Sequence, residues 1–140
     1  MSFLSLNLLD GMTEKKKFEL EYVFKSSPSI LYKLLSTPDG LAEWFADDVN
    51  VQNNIYTFDW AGEEVTARLL SSKSGDFMRW AWLEDDDEDE NAYFELKVKV
   101  DPMTKMSVLL ISDFAEEDEI DEAKQLWESQ ISNLKRIIGA

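Results

Sequence analysis

The chain has no cysteine and no histidine among its 140 residues. Without cysteine there is no disulfide, no thiolate metal site and no thiol nucleophile. Without histidine the commonest general base and the commonest metal ligand are both missing. There is no Gly-rich phosphate loop, nucleophile elbow or Walker-type lysine. There is also no basic stripe of the kind that phosphate contacts require, so direct nucleic-acid binding is not expected. Met1 to Gly11 carries Phe3, Leu4, Leu6, Leu8 and Leu9. It lacks a basic start, is broken by Asn7 and Asp10, and meets no small-residue cleavage site, so it reads as neither a signal peptide nor a membrane span. A cytoplasmic location is the resulting expectation. Met12 makes an equally good beginning. Residues 1–11 are therefore read as an upstream extension, either disordered or an apolar arm that docks on the body or on a second subunit. Residues 12–140 have the length of one domain with one core.

Acid is what the chain has in excess, with a net charge of −15. Glu84 to Glu90 supplies seven acidic residues and Glu116 to Glu122 six, which leaves 16 of the 29 acids against 14 basic residues elsewhere. The body is thus nearly neutral, and the two blocks are either solvated segments or, for the loop 84–90, a docking site for a basic protein partner. That loop lacks the regular ligand spacing and the Gly turn of a calcium-binding loop, so no metal and no cofactor is expected.

Periodicity then orders the chain. From Asp118 to Ile138, the residues Ile120, Ala123, Leu126, Trp127, Ile131, Leu134, Ile137 and Ile138 fall within an arc of roughly 140° on an ideal helix about 31 Å long. Gln130 is the only polar residue in that arc. Acids precede the first turn, Lys135 and Arg136 sit in the last, and Gly139 is a stop signal. Phe18, Leu20, Tyr22 and Phe24 alternate with polar residues as a first strand. Ser26-Ser27-Pro28 and Thr37-Pro38-Asp39 each start a short helix. A meander of five or six strands follows: Tyr56–Trp60, Val65–Leu69, Phe77–Trp82, Phe94–Val100 and Met106–Ile111 are its apolar stretches. The pattern predicts an α+β domain in which a curved antiparallel sheet grips one long C-terminal helix, with two short helices after the first strand. Exposed sheet edges leave a monomer or a weak homodimer open, with Leu109 and Ile111 on a face that the long helix does not cover.

Local stretches support the same picture. Ser27-Pro28-Ser29-Ile30-Leu31-Tyr32, Ser36-Thr37-Pro38-Asp39-Gly40-Leu41 and Glu43-Trp44-Phe45 resemble the START-like, helix-grip superfamily, also called SRPBCC. The likeness is to the bacterial branch related to the C-terminal domain of the activator of the ninety-kilodalton heat-shock protein ATPase. It covers about Lys17 to Ile138. The resemblance implies a cavity between sheet and long helix, and members bind hydrophobic small molecules, catalyse ring closures or dehydrations, or assist chaperones. It supplies no catalytic motif to carry over.

Several side chains could line such a cavity. By alternation Tyr22, Phe58, Trp60, Trp80 and Trp82 project toward the long helix, whose Trp127, Gln130 and Ile131 face them, while Trp44 comes from the short helices. These rings form either the wall of an apolar pocket or a filled core. Gln130 could hydrogen-bond a ligand or a buried group, or reach water at the helix edge. Asp47, Asp48 and Asp59 are the only candidates for acid–base work, and nothing in their spacing marks them for it. Arg68 and Arg79 should pair with outer-face acids such as Glu64 and Glu95. The expected role is a non-enzymatic domain that binds a hydrophobic small molecule. A chaperone-associated interaction module with a filled core is the second reading, and a cyclase- or lyase-like enzyme the third.

Overall fold

The computed structural model describes residues 15–83 and 92–139. The expectations for residues 1–11 and for the acidic loop 84–90 lie outside the described residues. Strand β1 (Lys15–Phe24) leads into two short helices, α1 (Pro28–Ser36) and α2 (Pro38–Trp44). Six strands follow: β2 (Asp48–Gln52), β3 (Ile55–Trp60), β4 (Glu63–Lys73), β5 (Phe77–Trp82), β6 (Phe94–Val100) and β7 (Ser107–Glu116). A single 3-10 turn (Glu117–Glu119) then opens helix α3 (Ile120–Ile138). The strands form one seven-stranded antiparallel sheet in the order β1-β7-β6-β5-β4-β3-β2. This is the expected helix-grip architecture.

The core is the inner face of the sheet packed against α3. Phe24, Phe58, Trp80, Phe94, Leu96, Leu109 and Ile111 come from strands and are fully or almost fully buried, as are Leu31, Leu35, Leu41 and Leu134 from helices. Leu109 and Ile111 therefore face the core, against the sequence expectation. Their cross-strand partners Tyr22 and Leu20 place them on the inner face, and the extra apolar residues on this strand, Val108 and Leu110, are the ones that point outward. On that outer face Arg79 donates from Nε to Glu95 Oε1 at 2.8 Å, the pairing expected from alternation.

Three further differences have local causes. Strand β2 was not foreseen, because only Val49 of its five residues is buried and the strand is held by backbone pairing to β3 alone. Its hairpin to β3 turns at Asn53 and Asn54, both at positive φ, the conformation asparagine tolerates best among non-glycines. Helix α3 starts two residues later than expected, since Glu117–Glu119 forms the 3-10 turn. Its C-terminus is as read: Gly139 is left-handed and its N–H bonds Lys135 O at 2.9 Å. Finally, Leu126 and Ile137 of the apolar arc are exposed, at 66% and 41%. Among the described residues no helix is long and apolar enough to cross a membrane.

Candidate functional site

The geometry of the site begins with the two short helices. Ser27 caps α1 by accepting from Ile30 N–H at 3.3 Å, with Pro28 in the first turn. Thr37 joins the two helices. Its hydroxyl donates to Lys33 O at the end of α1 and accepts from Gly40 N–H at the start of α2, both at 2.9 Å. The helices approach so closely that a Cβ on Gly40 would lie 2.6 Å from Lys33 O. The Thr37-Pro38-Asp39-Gly40 run thereby fixes where α2 ends.

It ends at Phe45, which caps α2. The Phe45 ring sits within 5.0–6.1 Å of Phe58, Trp60, Trp44, Trp127 and Phe94, centroid to centroid. Its carbonyl oxygen accepts from Trp60 Nε1 at 2.8 Å and from Gln130 Nε2 at 3.0 Å. One backbone oxygen thus ties the end of β3 and the middle of α3 to the end of α2. Gln130 spends its amide N–H on this tie. Trp44 donates to Leu34 O and Trp127 to Asp113 Oδ2, each at 2.8 Å.

Between α2, α3 and the ends of β3 and β5 a groove of about 700 Å³ remains. Trp44, Trp60, Trp82, Trp127 and Gln130 line it, so five of the nine anticipated residues meet there. Tyr22, Phe58, Trp80 and Ile131 do not line it and belong to the packing behind it. The space directly between the middle of the sheet and α3 is filled: Trp80 stacks on Phe94 at 5.0 Å, and Phe94 stacks on Trp82 at 4.7 Å. The pocket is therefore at the mouth of the grip, not inside it. The sequence reading missed Phe45, Leu126, Asp113 and Asp47 as members of the site. Phe45 had a signal, since it adjoins Trp44 in the Glu43-Trp44-Phe45 run. Leu126 was read as core because helix periodicity gives a direction and not what stands there.

Polar groups at the groove are mostly engaged by the protein. Asp47 Oδ2 accepts from Ala61 N–H and Asp59 Oδ1 from Gly62 N–H, both at 2.7 Å, so these two carboxylates cap the β3–β4 turn. Asp48 accepts from Val49 N–H. Deeper in the core, the hydroxyl of Tyr22 and the indole N–H of Trp80 are buried with no hydrogen-bonding partner among the described residues. Burial pushes the Tyr22 phenol above its ordinary range, and the negative charge of Glu128 adds to the effect. Among the described residues no group of three or more acidic side chains is placed to hold a metal ion.

A seven-stranded sheet gripping a C-terminal helix, with a groove open at one end, defines a helix-grip domain. The chain belongs to the START-like superfamily: the family model described as START-like superfamily domain matches residues 12–140. Among solved structures, the protein BfR322 from Bacteroides fragilis is 41% identical over 89% of this chain and 91% of its own, with a TM-score of 0.62. The Aha1 dimer from Colwellia psychrerythraea is similar in fold at 14% identity, covering 88% of this chain and 96% of that one, with a TM-score of 0.73. CalU16 from Micromonospora echinospora is 13% identical over 89% of this chain and 75% of its own, with a TM-score of 0.68. No curated protein matches the chain.

Proposed function

We propose that the protein is a non-enzymatic START-like domain that binds an apolar small molecule in the groove between α2 and α3. The observation that carries this reading is the opening of about 700 Å³ walled by indole rings, with Leu126 exposed at its edge. Concave, mostly apolar sites of a few hundred Å³ with sparse polar groups are where small molecules bind. The absence of chemistry in the proposal draws on two of the three carboxylates that line the groove: Asp47 accepts from the Ala61 N–H, and Asp113 accepts from the Phe114 N–H and the Trp127 indole. A protein-interaction role would rest on the loop 84–90, outside the described residues, so the groove carries the reading.

The test is a plug. Ala123 lines the groove and is half-buried, so Ala123→Trp fills it from the α3 side. The neutral probe Nile red should brighten with the wild-type protein and stay dark with the variant, whose far-UV circular dichroism should be unchanged. Equal brightening with both proteins would move the binding surface elsewhere and overturn the reading.

A further inference from the structure

We infer that the groove selects an organic cation, a positively charged head on an apolar body, over neutral and anionic molecules of the same size. The inference rests on the proposed binding role and names its ligand class.

Three carboxylates line the groove, those of Glu43, Asp47 and Asp113, and no Lys or Arg does. They come from α2, from the segment after it and from β7, so they approach from different walls. Two of the three cations of α3 are directed elsewhere. Lys124 Nζ lies 6.0 Å from the Phe18 ring and Lys135 Nζ 5.7 Å from the Phe24 ring, both over β1. Arg136 is exposed and donates to Asn133, which lines the groove, so one guanidinium stands at its rim against the three carboxylates.

The rings add a second attraction. Trp60 and Trp82 are half-buried, with centroids 6.3 Å apart and planes tilted by 56°. One face of Trp60 stacks on Phe58 and one face of Trp82 on Phe94; the ring surface left to the groove, beside carboxylates, offers a quaternary or protonated amine cation–π attraction and a negative field. Indole gives the strongest cation–π attraction of the side chains. The indole N–H groups of Trp60 and Trp127 are already bonded to Phe45 O and Asp113, which leaves neutral donors such as the Ser129 hydroxyl and the Asn133 amide to meet an anion. A fatty carboxylate would meet three like charges.

The experiment compares decyltrimethylammonium, decanol and decanoate, each below its aggregation threshold, by following the indole N–H signals of Trp60 and Trp127 in two-dimensional NMR. The cation should bind about tenfold more tightly than the alcohol, through cation–π contact and the local field, with decanoate weakest. The triple variant Glu43→Gln, Asp47→Asn, Asp113→Asn removes the three charges. It should lose the preference for the cation, read as the ratio of its affinities for the cation and for decanol. A control with the same charge change away from the groove, Glu21→Gln on β1 with Asp76→Asn and Asp101→Asn in turns at the opposite end of the sheet, should keep the preference, which separates the groove from the overall charge of −15. Decanoate binding as well as the cation, or the control losing the preference equally, would overturn the inference and leave the groove as a neutral apolar site. If none of the three compounds moves either indole signal, the binding role itself fails.

Discussion

Ala61 occupies left-handed backbone at φ 55°, followed by Gly62 at φ 90°. An L-residue pays roughly 1–2 kcal/mol to be there, because its Cβ crowds the following carbonyl. The carboxylate of Asp47 helps hold it, 2.7 Å from the Ala61 N–H. Replacing Ala61 by Gly removes the strain and adds flexibility to the unfolded chain, so Ala61→Gly should stabilise by about 0.5 kcal/mol net. Urea denaturation should show a higher midpoint with an unchanged slope. Tyr22 makes a second residue-scale case. Its hydroxyl is buried without a partner among the described residues, and a buried unmet donor costs about 1–3 kcal/mol. Tyr22→Phe keeps the ring and removes the hydroxyl, so it should be stabilising by about 1 kcal/mol in the same assay. A loss of stability would mean that the hydroxyl is satisfied by water.

At the scale of elements, the junction of α1 and α2 sets the position of the site. Gly40 lies under Lys33 O, Thr37 Oγ1 and Leu34 Cα, all within 2.8 Å of a would-be Cβ. Two of these atoms are backbone and cannot swing aside. Gly40→Ala should cost about 1–3 kcal/mol by overpacking. It should also displace α2, so the indole signals of Trp44 and Trp60 should shift even where the fold survives; thermal melts and NMR check both parts. Elements with their own local signal were legible in the sequence. The caps at Ser27 and Thr37, the alternation of β1, β3, β5 and β6, and the arc of α3 all follow from residue type and spacing. Strand β2 has no such signal, because four of its five residues are exposed and its existence depends on pairing with β3. The facing of Leu109 and Ile111 failed for a related reason: a strand apolar on both faces does not say which side meets the helix.

At the scale of the whole molecule, sequence alternation puts the rings on one face of the sheet but cannot divide them between core and groove. Phe58 and Trp60 have the same parity on one strand, yet Phe58 is fully buried and Trp60 borders the groove. The difference is position along the strand relative to where α2 ends, a tertiary fact set by Phe45. A second whole-molecule property follows directly from composition. With no His and no Cys, no side chain with an ordinary pKa titrates between about pH 6 and about 9, and folding stability should be flat there. At the alkaline end, burial raises the phenols of Tyr22, Tyr32 and Tyr56 above the ordinary tyrosine value of 10.0. In that range the unfolded chain has lost protons that the folded chain keeps, so stability is intact below pH 10.0 and falls as pH rises through the raised values. At the acid end, the hydrogen bond from Lys97 at 2.7 Å holds the Asp76 carboxyl below the ordinary aspartate value of 3.8. Its contribution is present above that value and is lost as pH falls through the lowered one. Relief of acidic repulsion acts in the opposite direction as pH drops from neutrality toward the isoelectric point near 4.2. Thermal midpoints measured from pH 3 to 11 should therefore show a broad plateau, a fall above 10 and a fall only well below 4. A slope between pH 6 and 9 would require a titrating group that the side chains do not provide. In Tyr56→Phe the alkaline fall should be shallower, because one of the three phenols that resist ionisation in the fold has been removed.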